Sequence, residues 1–355
     1  MDRTTTDPSS TDPASTGPVA RGPAFTDPCD GDGDGAPVFA VGRVGVDFRS
    51  EARLDGFRRQ LGGAAPGGPP PDPGDARQLH DHLVRHPWAS SRLTWTLSTG
   101  GTPIYALEAE PAVAMDWGGP VPDAGPDGSE RERLALLRRI AAAPPVHPVH
   151  RALRDTLLGQ SLPADDPGRI GRLTVPGRLT GRSARLFSGQ VVPVVRVGAV
   201  GLARWAETPL LAAAVDAVGR ARELNRDRVA ERLRALLDKV YVQFRNAGRG
   251  AAERALNHAA TEAFLTGGLL ADGPLCGALV PRGPQDRPGP PGLYALDTIT
   301  VAASPHCRPG SDCQDVLVRF TDPADARRAA VTYVFTVDVG DELPVSLAPV
   351  HRFLG

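Results

Sequence analysis

Lysine is almost missing from this chain of 355 residues: Lys239 is the only one, so arginine carries nearly all of the positive charge. Together with abundant Ala, Gly and Pro, this reads as the codon bias of a GC-rich genome and says little about function. Cysteine is also scarce, and Cys29, Cys276, Cys307 and Cys313 are too few to staple a chain this long, which fits a reducing compartment. No apolar run approaches the roughly 18 residues of a membrane span, and the N-terminus lacks a charged stretch followed by an apolar one. A cytoplasmic protein without a membrane partner is expected. The chain contains no G-x-G-x-x-G and no G-x-x-x-x-G-K-[ST], and Gly42-x-x-Gly45 and Gly198-x-x-Gly201 match no phosphate loop, so a nucleotide cofactor is unsupported. The net charge of −1 hides a split: residues 1–36 hold seven Asp against Arg3 and Arg21, a net of −5, which leaves +4 for the rest. Spread over a whole domain, that is too mild a bias for nucleic-acid binding.

What is present organises the chain into three parts. Residues 1–36 repeat Thr-Asp-Pro, at Thr6-Asp7-Pro8, Thr11-Asp12-Pro13 and Thr26-Asp27-Pro28, with too little apolar content to repay ordering. This acidic tail is expected to be disordered. Residues 37–200 form the next part, opening on an apolar strand at Val38–Phe48. Ser50 is placed to cap a helix with Leu54, Phe57 and Leu61 on one face, and Asp75 to cap a second with Leu79 and Leu83, ending before Pro87. Leu93, Trp95 and Leu97 alternate with threonines and pair with Ile104–Leu107 across Gly100-Gly101 as a hairpin. Helices follow at Glu130–Ala142 and Val149–Gly159, then a β-rich block at Gly171–Val197 in which Pro193 implies an edge or bulge position. In residues 201–355, Leu202–Phe264 reads as mostly helical, with Leu224, Val229, Leu233, Leu236, Leu237, Val240 and Phe244 tracing one stripe. Strands follow at Tyr294–Ala302, Asp315–Phe320 and Val331–Asp338, with a turn opening at Phe320-Thr321-Asp322-Pro323. The fold class is α+β, with antiparallel sheets and segregated helices.

Several clusters could carry chemistry. Asp30-Gly31-Asp32-Gly33-Asp34-Gly35 begins like a calcium loop, but Val41 stands where a bidentate glutamate is required. His82 and His86 have the i, i+4 spacing of a metal pair, with His80 beside them, yet no H-E-x-x-H pattern accompanies them; His147 and His150 sit in a proline-rich joint. Cys307 and Cys313 are the best chemical signal. Pro309-Gly310 between them can turn the chain so that two thiolates converge on zinc, with His306 or a second subunit completing the set. A local disulfide, two merely buried thiols or a catalytic cysteine are the competing explanations. Arg172, Arg178, Arg182 and Arg185 line the β-rich block and could dock an anion or an acidic peptide, against the plainer reading of solvated arginines.

Taken in order, VFAVGRVGVDFRSEARLDGF, SRLTWTLSTGGTPIYALE, VPGRLTGRSARLFSGQVVPVV, LLDKVYVQFRNAGRGAAERALNHAATEAF, SPHCRPGSDCQDVLVRFTDP and FTVDVGDELPVSL resemble the C-terminal region of PatA/PatG-type cyanobactin maturation proteases, over nearly all of residues 38–354. In that family the region follows a subtilisin-like protease that cuts precursor peptides. The resemblance implies a shared fold and a place in dimerisation, scaffolding or substrate handling. Proteolysis is not carried over, since the subtilisin-type G-T-S motif is missing. Cys307 and Cys313 match the family's cysteine pair, which favours structural zinc, whereas His306 stands where an aromatic residue is expected. The implied function is a non-catalytic accessory of a ribosomal-peptide modification pathway, a homodimer binding precursor peptide or a partner enzyme. The alternative is an unrecognised cysteine- or metal-dependent enzyme acting on peptides.

Overall fold

The computed structural model describes residues 35–62, 71–109, 147–222, 226–266 and 293–355. Residues 1–34, which hold nearly all of the acidic tail and the calcium-like loop, the helix expected at Glu130–Ala142, and Cys29 and Cys276 lie outside these residues. No described helix is long and apolar enough to cross a membrane.

The first sheet is built around one long strand. Strand β1 (Pro37–Asp47) pairs its first six residues with β4 (Ile170–Arg185), in a register that sets Pro37 against Arg178. Its last five pair with β2 (Thr94–Thr99), Arg43 lying opposite Ser98. Gly42 stands at the change of partner, where a Cβ would come within 2.7 Å of the Ser98 carbonyl oxygen, so only glycine lets the two backbones approach. Strand β2 turns through Gly100-Gly101 into β3 (Thr102–Glu108), as the alternation of Leu93, Trp95 and Leu97 implies. Strand β3 then pairs with β5 (Val191–Val197), which pairs with β4, so β1, β2, β3, β5 and β4 form a closed circuit. The β3 to β5 contact is parallel, a departure from the wholly antiparallel arrangement expected. It is made possible by the long crossover through α3 (Pro148–Ser161) and β4. Pro193 tolerates its interior strand because β3 begins to pair only at Val194, beside a register shift in β4 between Leu179 and Ser183. Strand β6 (Ala203–Ala206) extends the sheet beyond β4.

Helices α1 (Glu51–Leu61) and α2 (Ala76–Arg85) start where their caps dictate. Ser50 Oγ accepts from Arg53 N at 3.4 Å, and Asp75 Oδ1 from Arg77 N at 2.8 Å and Gln78 N at 3.2 Å. With α3 they bury Phe57, Leu79, Leu83 and Leu153 against Val38, Ala40, Trp95, Leu97, Leu173 and Val175. The alternation of β1 turns Val41 the other way, into a second core. There the stripe of α5 (Arg226–Gln243), with Val229, Leu233, Leu236 and Leu237, meets α6 (Ala251–Thr266) and a second sheet. Helix α4 (Glu207–Arg222) packs on α5. The second sheet runs β7 (Ala295–Ala303), β8 (Cys313–Thr321), β9 (Val331–Asp338) and β10 (Val345–Ser346), with β11 (His351–Leu354) also on β9. It contributes Val316, Val318, Phe320, Tyr333 and Phe335 to the core. The turn after β8 is fixed by an ion pair with little exposure to solvent, Arg328 to Asp322 at 2.9 Å. Together the described residues form an α+β fold.

Candidate functional site

The structure separates the histidines. His82 is buried with its Nε2 unpartnered among the described residues, and its ring lies 5.0 Å from that of His86; burial first, then His86 and Arg85, lowers its pKa. His80 turns instead to Asp81 at 3.0 Å and Asp155 at 3.4 Å. His147 caps α3, accepting from Val149 N through Nδ1 at 3.3 Å. His150 is buried edge-on against Trp95, and burial lowers its pKa to about 4, so it is a neutral core residue. Among the described residues, no three of His, Cys, Asp and Glu gather as a metal site would need.

The cysteines do converge. Cys307 lies in the turn between β7 and β8 and Cys313 opens β8, with their sulfurs 2.7 Å apart and the Cys307 thiol donating to the Ser311 carbonyl at 3.0 Å. His306 is exposed and points its backbone N–H at Ser304 Oγ. Burial, followed by the neighbouring Cys307 and Asp338, pushes the Cys313 thiol up to about 11, the opposite of what a nucleophilic cysteine requires. Two soft sulfur donors held together suit zinc, but supply only half of a tetrahedral set.

The four arginines of β4 make different contacts. Arg178 pairs with Glu342 at 2.6 Å and Arg182 with Glu108 at 2.5 Å, while exposed Arg185 offers its carbonyl to Arg49. Arg172 alone faces inward: its guanidinium carbon sits 4.5 Å from the centroid of the Tyr241 ring. It looks onto a cavity of about 320 Å³ bounded by Val41, Thr99, Asp238, Tyr241 and Arg245.

A larger groove, of about 670 Å³, opens between α6 and β10 and was not visible in the sequence. Val200, Leu265, Leu343 and Val345 form its apolar walls, and Val200 and Leu265 are 72% and 56% exposed. On its floor Ser346 Oγ lies 3.3 Å from His258 Nε2 and donates to the Glu262 carboxylate, which also approaches His258 Nε2 at 3.8 Å. These are the residue types of a hydrolytic triad in a different arrangement. A relay places the carboxylate on one imidazole nitrogen and the serine on the other, whereas here both crowd the same one. Burial also lowers the His258 pKa against the opposing pull of Glu262. The i, i+4 spacing of His258 and Glu262 is a weak local signal; Ser346, more than 80 residues away, gives none.

Two family models match, one described as PatG Domain over residues 37–249 and one as PatG C-terminal over residues 223–353. A solved structure called PatG Domain of Unknown Function is similar with a TM-score of 0.66 and 32% identity, over 90% of this chain and 99% of that one. No curated protein matches. The two matched regions run from the first strand of the closed sheet to the last strand of the second, and the chain belongs to the PatG domain family.

Proposed function

We propose that this protein is a non-catalytic accessory of cyanobactin-type ribosomal peptide modification, and that it holds a precursor peptide in the groove between α6 and β10. The family's association with cyanobactin maturation supports the pathway. The groove supports the role: it combines apolar walls with a few convergent polar groups, Ser346, His258 and Glu262, the usual make-up of a binding site. Strand β10 forms one wall and offers backbone groups to an extended chain. Leu265→Asp puts a charge on an exposed wall residue without disturbing the core. Fluorescence anisotropy with labelled precursor peptide is expected to show roughly tenfold weaker binding or worse, since one lost apolar anchor is worth about 1.4 kcal/mol or more. Unchanged affinity in a normally folded variant would remove the groove from the reading.

Cys307 and Cys313 are proposed to hold a structural zinc shared with the same pair of a second copy, which would make the protein a homodimer. Their convergence supports this, as does the raised Cys313 pKa, since a thiol that stays protonated alone needs a cation to hold it as thiolate. Protein purified without added metal should carry about one zinc per two chains, and Cys307→Ser with Cys313→Ser should lose it. Metal-free wild-type protein in which Cys307 and Cys313 both react as free thiols would refute the site.

A further inference from the structure

The closed sheet and α5 enclose a feature that the groove does not explain. Two arginines line the cavity of about 320 Å³, Arg172 from β4 and Arg245 just beyond α5, and Arg43 of β1 lies close enough to act electrostatically on Arg172. Among the described residues none of the three forms an ion pair, and Arg172 Nε is buried without a hydrogen-bond partner. Its face is occupied by the Tyr241 ring at 4.5 Å, and the side chain lines the cavity. The Tyr241 hydroxyl donates to the Glu207 carboxylate and not to Arg172. Asp238 lines the cavity too, without pairing with Arg172.

A half-buried arginine whose Nε is buried and unpaired, with two more cations near it, is unfavourable unless an anion completes the arrangement. Burial, and after it Arg43 and Arg245, lowers the Arg172 pKa, while Tyr241 and Glu207 oppose them. The charge count selects the anion. The two guanidinium groups that line the cavity, set against Asp238, leave one net positive charge, which matches a singly charged carboxylate rather than a phosphate dianion. The planar fork of a guanidinium fits the two oxygens of a carboxylate.

We propose that this cavity is a carboxylate-binding site, with Arg172 as the half-buried ligand, Arg245 at the rim and the Tyr241 ring as the platform behind Arg172. It rests on the peptide-accessory reading for the source of the carboxylate, an acidic side chain of a peptide. Arg43 adds long-range attraction from the neighbouring strand. Of the four arginines in β4, this gives the anion-binding role to Arg172 alone, because Arg178 and Arg182 are already neutralised by Glu342 and Glu108.

The test is calorimetric titration of the full chain with an end-blocked pentapeptide carrying one central aspartate, and with its asparagine counterpart. The aspartate peptide should bind about tenfold more tightly or better, and that preference should shrink as salt is raised. Arg172→Gln and Arg245→Gln should each abolish the preference, with Arg172→Lys intermediate because it keeps charge but not the planar fork. Arg245 is exposed, so its variant keeps the fold and decides the matter if Arg172→Gln unfolds. Equal binding of the two peptides, or a preference that survives Arg245→Gln, overturns the site. Inorganic phosphate displacing the peptide more effectively than acetate overturns the choice of anion. If full precursor peptide binds while the pentapeptide does not, the carboxylate site falls and the accessory function stands; if Leu265→Asp alone fails to weaken precursor binding, the groove falls and this site stands.

Discussion

Trp205→Ala should be among the most destabilising single substitutions in the protein, at about 4 kcal/mol, by analogy with other buried Trp and Phe truncations. Trp205 in β6 is fully buried. Its ring stacks on Phe264 of α6 with centroids 4.4 Å apart and meets Phe244, just beyond α5, edge-on at 5.4 Å. Its Nε1 donates to Thr174 Oγ1 at 2.9 Å, and Thr174 in turn meets Thr261 of α6 at 2.9 Å. One side chain therefore ties the closed sheet to α6 and to the end of α5 in the second core. Trp205→Phe separates the contributions: it keeps most of the stacking and loses the hydrogen bond, so about 1 to 2 kcal/mol is expected. Urea titration followed by circular dichroism measures both, and a loss below about 1 kcal/mol for Trp205→Ala would show that this tie is dispensable.

Local features of the sequence translate into structure wherever the cause is local. Ser50 and Asp75 cap α1 and α2 because a side-chain oxygen three residues or fewer from an unpaired N–H needs no tertiary help. The β2 to β3 hairpin follows from alternation plus Gly100-Gly101, and the α5 stripe from its period. Closure of the first sheet was hidden, because nothing in β1 announces that it changes partner at Gly42 and that β4, some 130 residues later, takes its first half. The arginines of β4 illustrate the same limit. They look like one patch along the chain, but the register shift between Leu179 and Ser183 and the turn of the strand send them to separate partners. The pair Cys307 and Cys313 was legible because a short turn alone brings them together. The meeting of Ser346 with His258 was not, since it depends on how β10 lies along α6.

The stretch Asn246-Ala247-Gly248 reads in sequence only as a break between helices, and the structure makes it the joint between the two cores. Gly248 accepts from Phe39 N through its carbonyl at 2.9 Å, while its own N–H donates to Asn246 Oδ1 at 2.9 Å. Asn257 of α6 exchanges amide hydrogen bonds with Asn246 and donates to the Phe39 carbonyl at 2.7 Å. Tyr105 of β3 donates to the Ala247 carbonyl at 2.6 Å. Gly248 has φ +64°, and a Cβ there would lie 2.6 Å from the Phe39 carbonyl carbon and 2.9 Å from Ala40 Cα. Both obstacles are backbone of β1 and cannot rotate away. Gly248→Ala thus combines a left-handed backbone cost of about 1 to 2 kcal/mol with displacement of β1, for a total of roughly 3 kcal/mol or more. Gly181 supplies the control. Its φ is +68°, but an added Cβ would meet nothing within 4 Å, so Gly181→Ala should cost only the backbone part, about 1 kcal/mol. Equal losses for the two variants in urea titration would mean that β1 yields to the methyl group and that the joint is softer than its hydrogen bonds imply. A markedly larger loss at Gly248 would show that the closed sheet and the helical core are held in register at this one turn.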